Sequence, residues 1–313
     1  MSAKISIVIL NYKNWHDTLE CLQTILAVSY RSHRIAIVDN DSRNGSLDEI
    51  DQWLSLRQIQ STRLTQDQSE TGDVVDGPVV LIQSGSNRGY AAGNNIGIRW
   101  AIRTRSPYVL ILNNDTLVDG GFLEPLVEFL ESHSQAAMVG PLLRTTLGDI
   151  DKTCARTRPG FFDYLFRLGP GKKVWPGNPW GQSRFYFDST DYSAPFEVEV
   201  LSGSCILIRT SFLESIGLLD EHTFLFAEEY ILSERARSAQ KATYLIPKSS
   251  VIHKHGQSIK QQPSSAMQRR VVESHFYYLR RYRRFSLARA CWYVFWPFLT
   301  LLKVRATEYL KGG

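Results

Sequence analysis

Short apolar runs alternate along this chain with stretches in which apolar residues return every three or four positions. The runs at Ser6 to Leu10, Ile35 to Val38 and Tyr108 to Leu112 carry almost no polar residue. They predict strands covered on both faces, as in a parallel sheet. Leu19, Leu22, Ile25 and Leu26, and again Phe122, Leu126, Phe129 and Leu130, fall at helical spacing and predict the core faces of two helices. From Lys4 to about Pro141 the alternation is that of repeated β-α-β units. Residues 61–77, rich in Gln, Thr and Asp, read as an exposed insertion away from the chemistry. From Arg144 to Phe196 neither period persists. Gly, Pro and aromatics dominate at 159–162 and 175–180, the composition of a lid or binding loop. Regular structure resumes at Val198 to Ile208, a strand interrupted at Ser202, Gly203 and Ser204.

Each of the three apolar runs stops at a polar cluster: Asn11 and Tyr12, then Asp39 to Ser42, then Asn113 to Thr116. In parallel sheets, ligands collect beyond the carboxyl ends of the strands. A carboxylate there, such as Asp115, can hold a hard divalent cation that neutralises phosphate oxygens. The same residues are also ordinary turn formers. Asn87 to Gly97 is a Gly/Ala/Asn-rich entry into a helix, where small residues let a ligand or a neighbouring backbone come close. There is no G-x-G-x-x-G after the first strand and no G-K-[ST]. The dinucleotide fingerprint and the Walker loop are therefore both excluded.

In chain order, Ser6-Ile-Val-Ile-Leu-Asn-Tyr12, Val38-Asp-Asn-Asp-Ser42, Asn87-Arg-Gly-Tyr-Ala-Ala-Gly-Asn-Asn-Ile-Gly97 and Leu112-Asn-Asn-Asp-Thr116 lead to Gly217-Leu-Leu-Asp-Glu221 and Phe224-Leu-Phe-Ala-Glu-Glu229. This ordered set resembles the family 2 glycosyltransferases, most of all their rhamnosyltransferase-like branch, over Lys4 to Ser258. The resemblance implies an α/β GT-A fold, a Rossmann-like and mostly parallel sheet flanked by helices, with a C-terminal helical extension. On this reading residues 1–260 form the glycosyltransferase domain. Residues 1–141 are its nucleotide-sugar half, 142–260 its acceptor and catalytic half, and 261–313 a basic aromatic tail.

The implied reaction moves a sugar from a nucleotide-diphosphate donor to a hydroxyl of a cell-surface glycan or lipid-linked precursor, by direct displacement with inversion. The Q-x-x-R-W signature of processive synthases is missing, so one sugar per encounter is expected. Asn11, Asp39, Asn87, Arg88, Asn94, Asn113, Asn114 and Asp115 make up the implied donor pocket, with Asp39 at the base or ribose. Asp115 matches the last Asp of the family's DxD motif, and Asn113 replaces the first. His253 matches the histidine that closes the metal site in related enzymes, so Mn2+ or Mg2+ is expected on Asp115 and His253. Imidazole suits manganese-like ions better than magnesium. His255, two residues further on, stays open as the alternative ligand. Glu229 matches the acid that removes the acceptor proton, and Glu228 is assigned the structural place at the helix start. The apolar approach from Phe224 to Ala227 is expected to desolvate Glu229. Glu for Asp at 229 and Ile231 in place of a further Asp depart from the family pattern. Those departures keep open a catalytically degenerate nucleotide-sugar-binding protein. A nucleotidyltransferase is the other rival, but it needs a Gly/Arg/Lys-rich phosphate loop near the first strand that this chain lacks.

Composition adds a compartment and a second surface. The 313 residues, 43% hydrophobic, suit one large α/β domain and an appendage. Four cysteines without C-x-x-C spacing argue against a disulfide framework or zinc site and for a reducing cytosol. The apolar run after Lys4, broken at Asn11, is too short for a signal-peptide core. Between Arg269 and Gly313, ten Lys/Arg face only Glu273 and Glu308, a balance of +8 in a chain of net +5. Within this tail the aromatic run Ala290 to Leu302 is too short to span a bilayer, which needs about 20 apolar residues. Two readings fit it: peripheral contact with an anionic membrane surface at the inner face of the cell membrane, or a helix pair packed on the catalytic domain. No nucleic-acid partner is expected, because no recognised binding module accompanies the arginines.

Overall fold

The computed structural model describes residues 3–75, 77–160, 175, 186–187, 190–254 and 264–311. The expected alternation is present as β1 (Ile5–Asn11), α1 (Trp15–Leu26), β2 (His33–Asp39), α2 (Ser46–Leu56), β3 (Ser61–Thr65), α3 (Gln66–Thr71), β4 (Val79–Gln83), α4 (Tyr90–Arg103) and β5 (Tyr108–Asn113). The five strands are parallel, in the order β3-β4-β2-β1-β5. Ile7, Val8, Ile37, Val80 and Leu110 are fully buried, which explains the absence of polar alternation in their sequence. The chain leaves β1 toward β2 on one side and later returns as β5 on the other. A crevice therefore opens beyond the carboxyl ends of β1, β2 and β5.

One expectation is corrected here. Residues 61–71 are not an insertion: they form β3, the edge strand, and α3, which opens with a capping box between Thr65 and Gln68. An edge strand has a solvent face, so its polar content hides it from a search for buried runs.

Beyond β5 come β6 (Thr116–Val118), α5 (Leu123–Ser132), β7 (Ala136–Arg144), a 3-10 turn (Lys152–Cys154), β8 (Ala155–Arg156), β9 (Phe196–Glu197), β10 (Val200–Leu201), β11 (Cys205–Arg209), α6 (Thr210–Ser215), α7 (Glu228–Ser238) and β12 (Ala242–His253). The sheet continues from β5 through β11, β7, β12 and β6, with β11 antiparallel to both neighbours. The break expected at residues 202–204 is real. β10 pairs with β8 outside the main sheet, and the chain then enters the sheet as β11. Most of the aromatic segments at 159–162 and 175–180 lie outside the described residues, as does His255.

The small residues of α4 admit the sheet. A Cβ on Gly93 would lie 2.5 Å from Leu10 Cδ1, and one on Gly97 2.4 Å from Val8 Cγ1. Gly89 has φ +99°, and a Cβ there would lie 2.3 Å from the Phe224 carbonyl oxygen.

The tail forms α8 (Ser265–Arg281) and α9 (Leu287–Lys311). Tyr278, Leu279, Phe285, Ala290, Tyr293 and Val294 join Val200, Ala227, Tyr230 and Ile231 in a second buried cluster. Polar contacts reinforce it. Buried Glu234 faces Arg158, Arg237 and Arg283 at 3.4, 2.9 and 3.6 Å. Asp220 accepts from Tyr277 Oη at 2.9 Å and also from Tyr282. One side of the tail therefore packs on the domain. Among the described residues, no helix is long and apolar enough to cross a membrane.

Candidate active site

The crevice begins with two locked strand ends. Asn11 Nδ2 donates to Asp39 Oδ1 at 2.6 Å, and Asn11 Oδ1 accepts from Thr18 Oγ1 at 2.9 Å. Asp39 Oδ2 accepts the Ser42 backbone N–H at 3.0 Å. These bonds satisfy the polar groups that the end of β1 and β2 would otherwise bury unpaired. Asp39 also lines a cavity of about 390 Å³ with Ser46, Thr65, Gln68, Leu81 and Gln83. Two of those residues, Thr65 and Gln68, come from β3 and α3.

The Asn87 to Gly97 motif is held to later segments. Asn87 Oδ1 accepts from Asn40 Nδ2 at 3.1 Å and from the Gly89 backbone at 3.0 Å. Arg88 reaches Glu221 Oε2 at 2.7 Å, while Glu221 Oε1 meets Arg99 at 2.9 Å and Asn95 Nδ2 at 2.8 Å. Asn95 also exchanges bonds with the Leu219 backbone at 2.9 and 3.0 Å. This explains why the Gly217 to Glu221 motif accompanies the α4 motif: they form one interface. Asn94 is buried and donates to the Tyr90 carbonyl at 2.9 Å. Asn114 Nδ2 donates to the Asn14 carbonyl at 3.1 Å and to Thr18 Oγ1 at 3.0 Å, pinning the turn after β5 to α1.

The candidate catalytic and metal-binding residues gather beyond β5. Asp115 Oδ1 lies 3.2 Å from His253 Nε2, at the end of β12. From Asn113 a chain of contacts runs in the other direction. Tyr90 Oη lies 3.3 Å from Asn113 Oδ1 and donates to the Gly203 carbonyl at 2.7 Å. The Gly203 N–H donates to Glu229 Oε1 at 3.1 Å, and the same oxygen meets Arg156 Nη2 at 3.2 Å. Burial pushes the Tyr90 hydroxyl well above its ordinary range, with Glu229, Glu228 and Asp115 adding to the effect.

The acid pair is presented by a strained turn. Phe226 and Ala227, immediately before α7, have φ of +74° and +67°, in the left-handed region that residues with a Cβ seldom enter. The two carboxylates meet different surroundings. Glu229 faces Gly203 and Arg156. Burial, then the charge of Glu229, push Glu228 up to about 8. Its Oε1 is buried with no hydrogen-bond partner among the described residues. The desolvation expected of the Phe224 to Ala227 approach is thus seen at Glu228, while Glu229 is matched by a cation. Ile231, the apolar departure from the family pattern, is 1% exposed and packs in the cluster with α8 and α9.

The family model for glycosyl transferase family 2 matches residues 6–217. The chain belongs to this family. It is 27% identical over 201 residues to an N-acetylglucosaminyl-diphospho-decaprenol L-rhamnosyltransferase of Mycobacterium tuberculosis, covering 60% of this chain and 62% of that protein. It is also 27% identical over 234 residues to a low-salt glycan biosynthesis hexosyltransferase of Haloferax volcanii, covering 74% of this chain and 61% of the relative. The chain thus spans about three fifths of the length of these curated relatives. A mannosyltransferase from Pyrobaculum calidifontis, solved with GDP-Man and Mn2+, superposes with a TM-score of 0.59 at 14% identity, over 100% of this chain and 77% of the other. This likeness shows a GT-A fold, as expected from the motifs.

Two residues of this family 2 glycosyltransferase site escaped the sequence reading. Tyr90 belongs to the Asn87 to Gly97 motif, but nothing in its sequence neighbours shows that it bridges β5 to the 202–204 break. Arg156 lies in the aperiodic stretch and gave no signal. As for a metal, a carboxylate and an imidazole in direct contact are two ligand types that suit Mn2+. No cluster of three or more His, Cys, Asp or Glu able to hold a metal occurs among the described residues. Asp115 and His253 would therefore supply two positions.

Proposed function

We propose that this protein is an inverting, non-processive hexosyltransferase. It moves a sugar from a nucleotide-diphosphate donor to a hydroxyl of a cell-envelope glycan or lipid-linked precursor. The observation that carries the reading is convergence: Asn113 and Glu229, far apart in sequence, are joined through Tyr90 and Gly203 beyond β5, and Asp115 acts electrostatically on the same Tyr90. The decaprenol-linked acceptor in the mycobacterial relative's name supports the lipid-linked class. In this mechanism Glu229 takes the proton from the acceptor hydroxyl as its oxygen attacks the anomeric carbon, and the bond to the diphosphate oxygen breaks. A single displacement inverts that carbon. Arg156 Nη2 lies 3.2 Å from Glu229 Oε1 and orients that side chain, while Glu228, pushed up to about 8 by burial and then by the charge of Glu229, keeps its proton at neutral pH. Asp115 and His253 would hold a Mn2+-like cation, which when bound offsets charge developing on the leaving diphosphate. The cavity beside Asp39 takes the base and ribose.

Donor consumption in the presence of polyprenyl-diphosphate-linked sugars tests the proposal. Glu229→Gln keeps size and hydrogen bonding while deleting the base, and turnover is expected to fall by roughly a hundredfold or more with donor affinity little changed. A wild-type chain that binds nucleotide sugar yet never consumes it would leave a binding protein in place of an enzyme.

A further inference from the structure

The inner face of α9 is part of the second buried cluster, but its outer face is apolar as well. Leu287, Trp292, Phe295, Phe298 and Leu302 are 61, 51, 41, 43 and 45% exposed. At 100° per residue they fall within an arc of about 140° along one side of the helix. Ala290, Tyr293, Val294 and Leu301, all under 9% exposed, occupy a separate arc of about 100° next to it. Trp292 and Phe295 stack with parallel rings 6.4 Å apart, extending the stripe. A row of this kind on a solvent face marks an interaction surface.

We infer that this face of α9 docks in the plane of an anionic membrane surface, holding the glycosyltransferase against the bilayer. Charge selects the occupant. Exposed Arg284, Lys303 and Arg305 border the stripe, and the chain from Arg269 onward carries +8 while the rest carries −3. Anionic headgroups attract such a rim, and Trp and Phe are suited to the headgroup depth beneath them. A second copy of the chain is the poorer occupant, because a two-fold contact would set the cationic rims against each other. The inner face of α9 shares its cluster with Ala227, Tyr230 and Ile231, which bracket Glu228 and Glu229. The stripe is therefore separated by the thickness of α9 from the cluster that flanks the acid pair.

Sedimentation of the full chain with vesicles tests the docking without reference to turnover, so its failure and that of the proposed reaction are separable. The chain is expected to sediment with phosphatidylcholine vesicles containing phosphatidylglycerol and to remain in solution with phosphatidylcholine alone. Salt should weaken the binding. Lys303→Gln with Arg305→Gln should lower it by roughly fivefold per residue. Trp292→Glu with Phe295→Glu should abolish it, while thermal unfolding stays as in the wild type because both side chains face outward. A folded wild-type chain that ignores anionic vesicles overturns the inference. So does undiminished binding by the Trp292/Phe295 variant. A wild type that ignores vesicles but self-associates in sedimentation velocity, through the same two residues, assigns the face to a second copy and equally overturns it.

Discussion

Replacing Glu228 with Gln should stabilise this protein, and only above mildly acidic pH. Burial and the adjacent Glu229 push Glu228 from an ordinary 4.5 to about 8. Below about pH 4.5 the carboxyl is protonated in both folded and unfolded chains and contributes no difference. As pH rises, the unfolded chain releases its proton while the folded chain retains it. Folding stability therefore falls between about pH 4.5 and 8 and is level above that. At about 1.36 kcal/mol per pKa unit, the interval corresponds to a ceiling of about 5 kcal/mol. Side-chain relaxation and water entry reduce such penalties, and we expect about 2 to 3 kcal/mol at pH 8.5. Glu228→Gln has the same shape and never ionises. It should melt with the wild type at pH 4.5 and roughly 5 °C above it at pH 8.5. Thermal unfolding of both proteins across this range provides the assay. A melting difference that does not change with pH would refute the reasoning, as would a variant less stable than wild type at pH 8.5. Activity of the same variant tests the division of roles: if Glu228→Gln is inactive and Glu229→Gln turns over, the two acids exchange places.

Asp115→Asn should abolish transfer and the Mn2+-dependent part of nucleotide binding, measured by calorimetry with and without the metal; full activity at saturating metal would remove Asp115 from the mechanism. Asp39→Ala should raise the donor KM more than it lowers kcat, because the residue lines the cavity assigned to base and ribose. A fall in kcat alone would contradict that. Gly97→Ala places a Cβ 2.4 Å from Val8 Cγ1 and should destabilise by about 1 to 3 kcal/mol in denaturant unfolding, whereas no loss would mean that α4 can move off the sheet.

The buried parallel strands were legible because burial on both faces removes polar residues from the sequence itself, and β1, β2 and β5 fall where the apolar runs predict them. β3 was missed for the complementary reason: its solvent face carries Ser61, Arg63 and Thr65, a pattern shared with loops. The site was legible at the level of which segments meet, and much less so at the level of what each side chain does there. Asn11, Asn94, Asn114 and Arg88 all have polar side chains near a crevice, yet each is bonded within the protein, Asn94 to its own helix and the others to separate segments. A polar residue at a strand end must satisfy the fold's own unpaired groups before it can serve a ligand, and one-dimensional spacing cannot tell the two uses apart.

The acid pair shows where such reading stops. Sequence places two identical side chains next to each other at a helix start. What separates them is one cation, Arg156, delivered by the short β8 strand from a stretch with no periodicity, and the burial of the Glu228 carboxyl just after the turn at Phe226 and Ala227. That turn is itself backed by the tail: Ala227, Tyr230 and Ile231 pack in one cluster with Tyr278, Tyr293 and Val294. Ile231, which looked like the loss of a catalytic-type acid, is then a packing residue whose carboxylate counterpart would be buried among aromatic rings. The strain at Phe226 and Ala227 persists only while the surrounding structure holds it, and α8 and α9 form much of that surrounding. The tail therefore takes part in shaping the site as well as in presenting a surface. Substitutions on its inner face, unlike those on its outer stripe, should act on turnover and stability together.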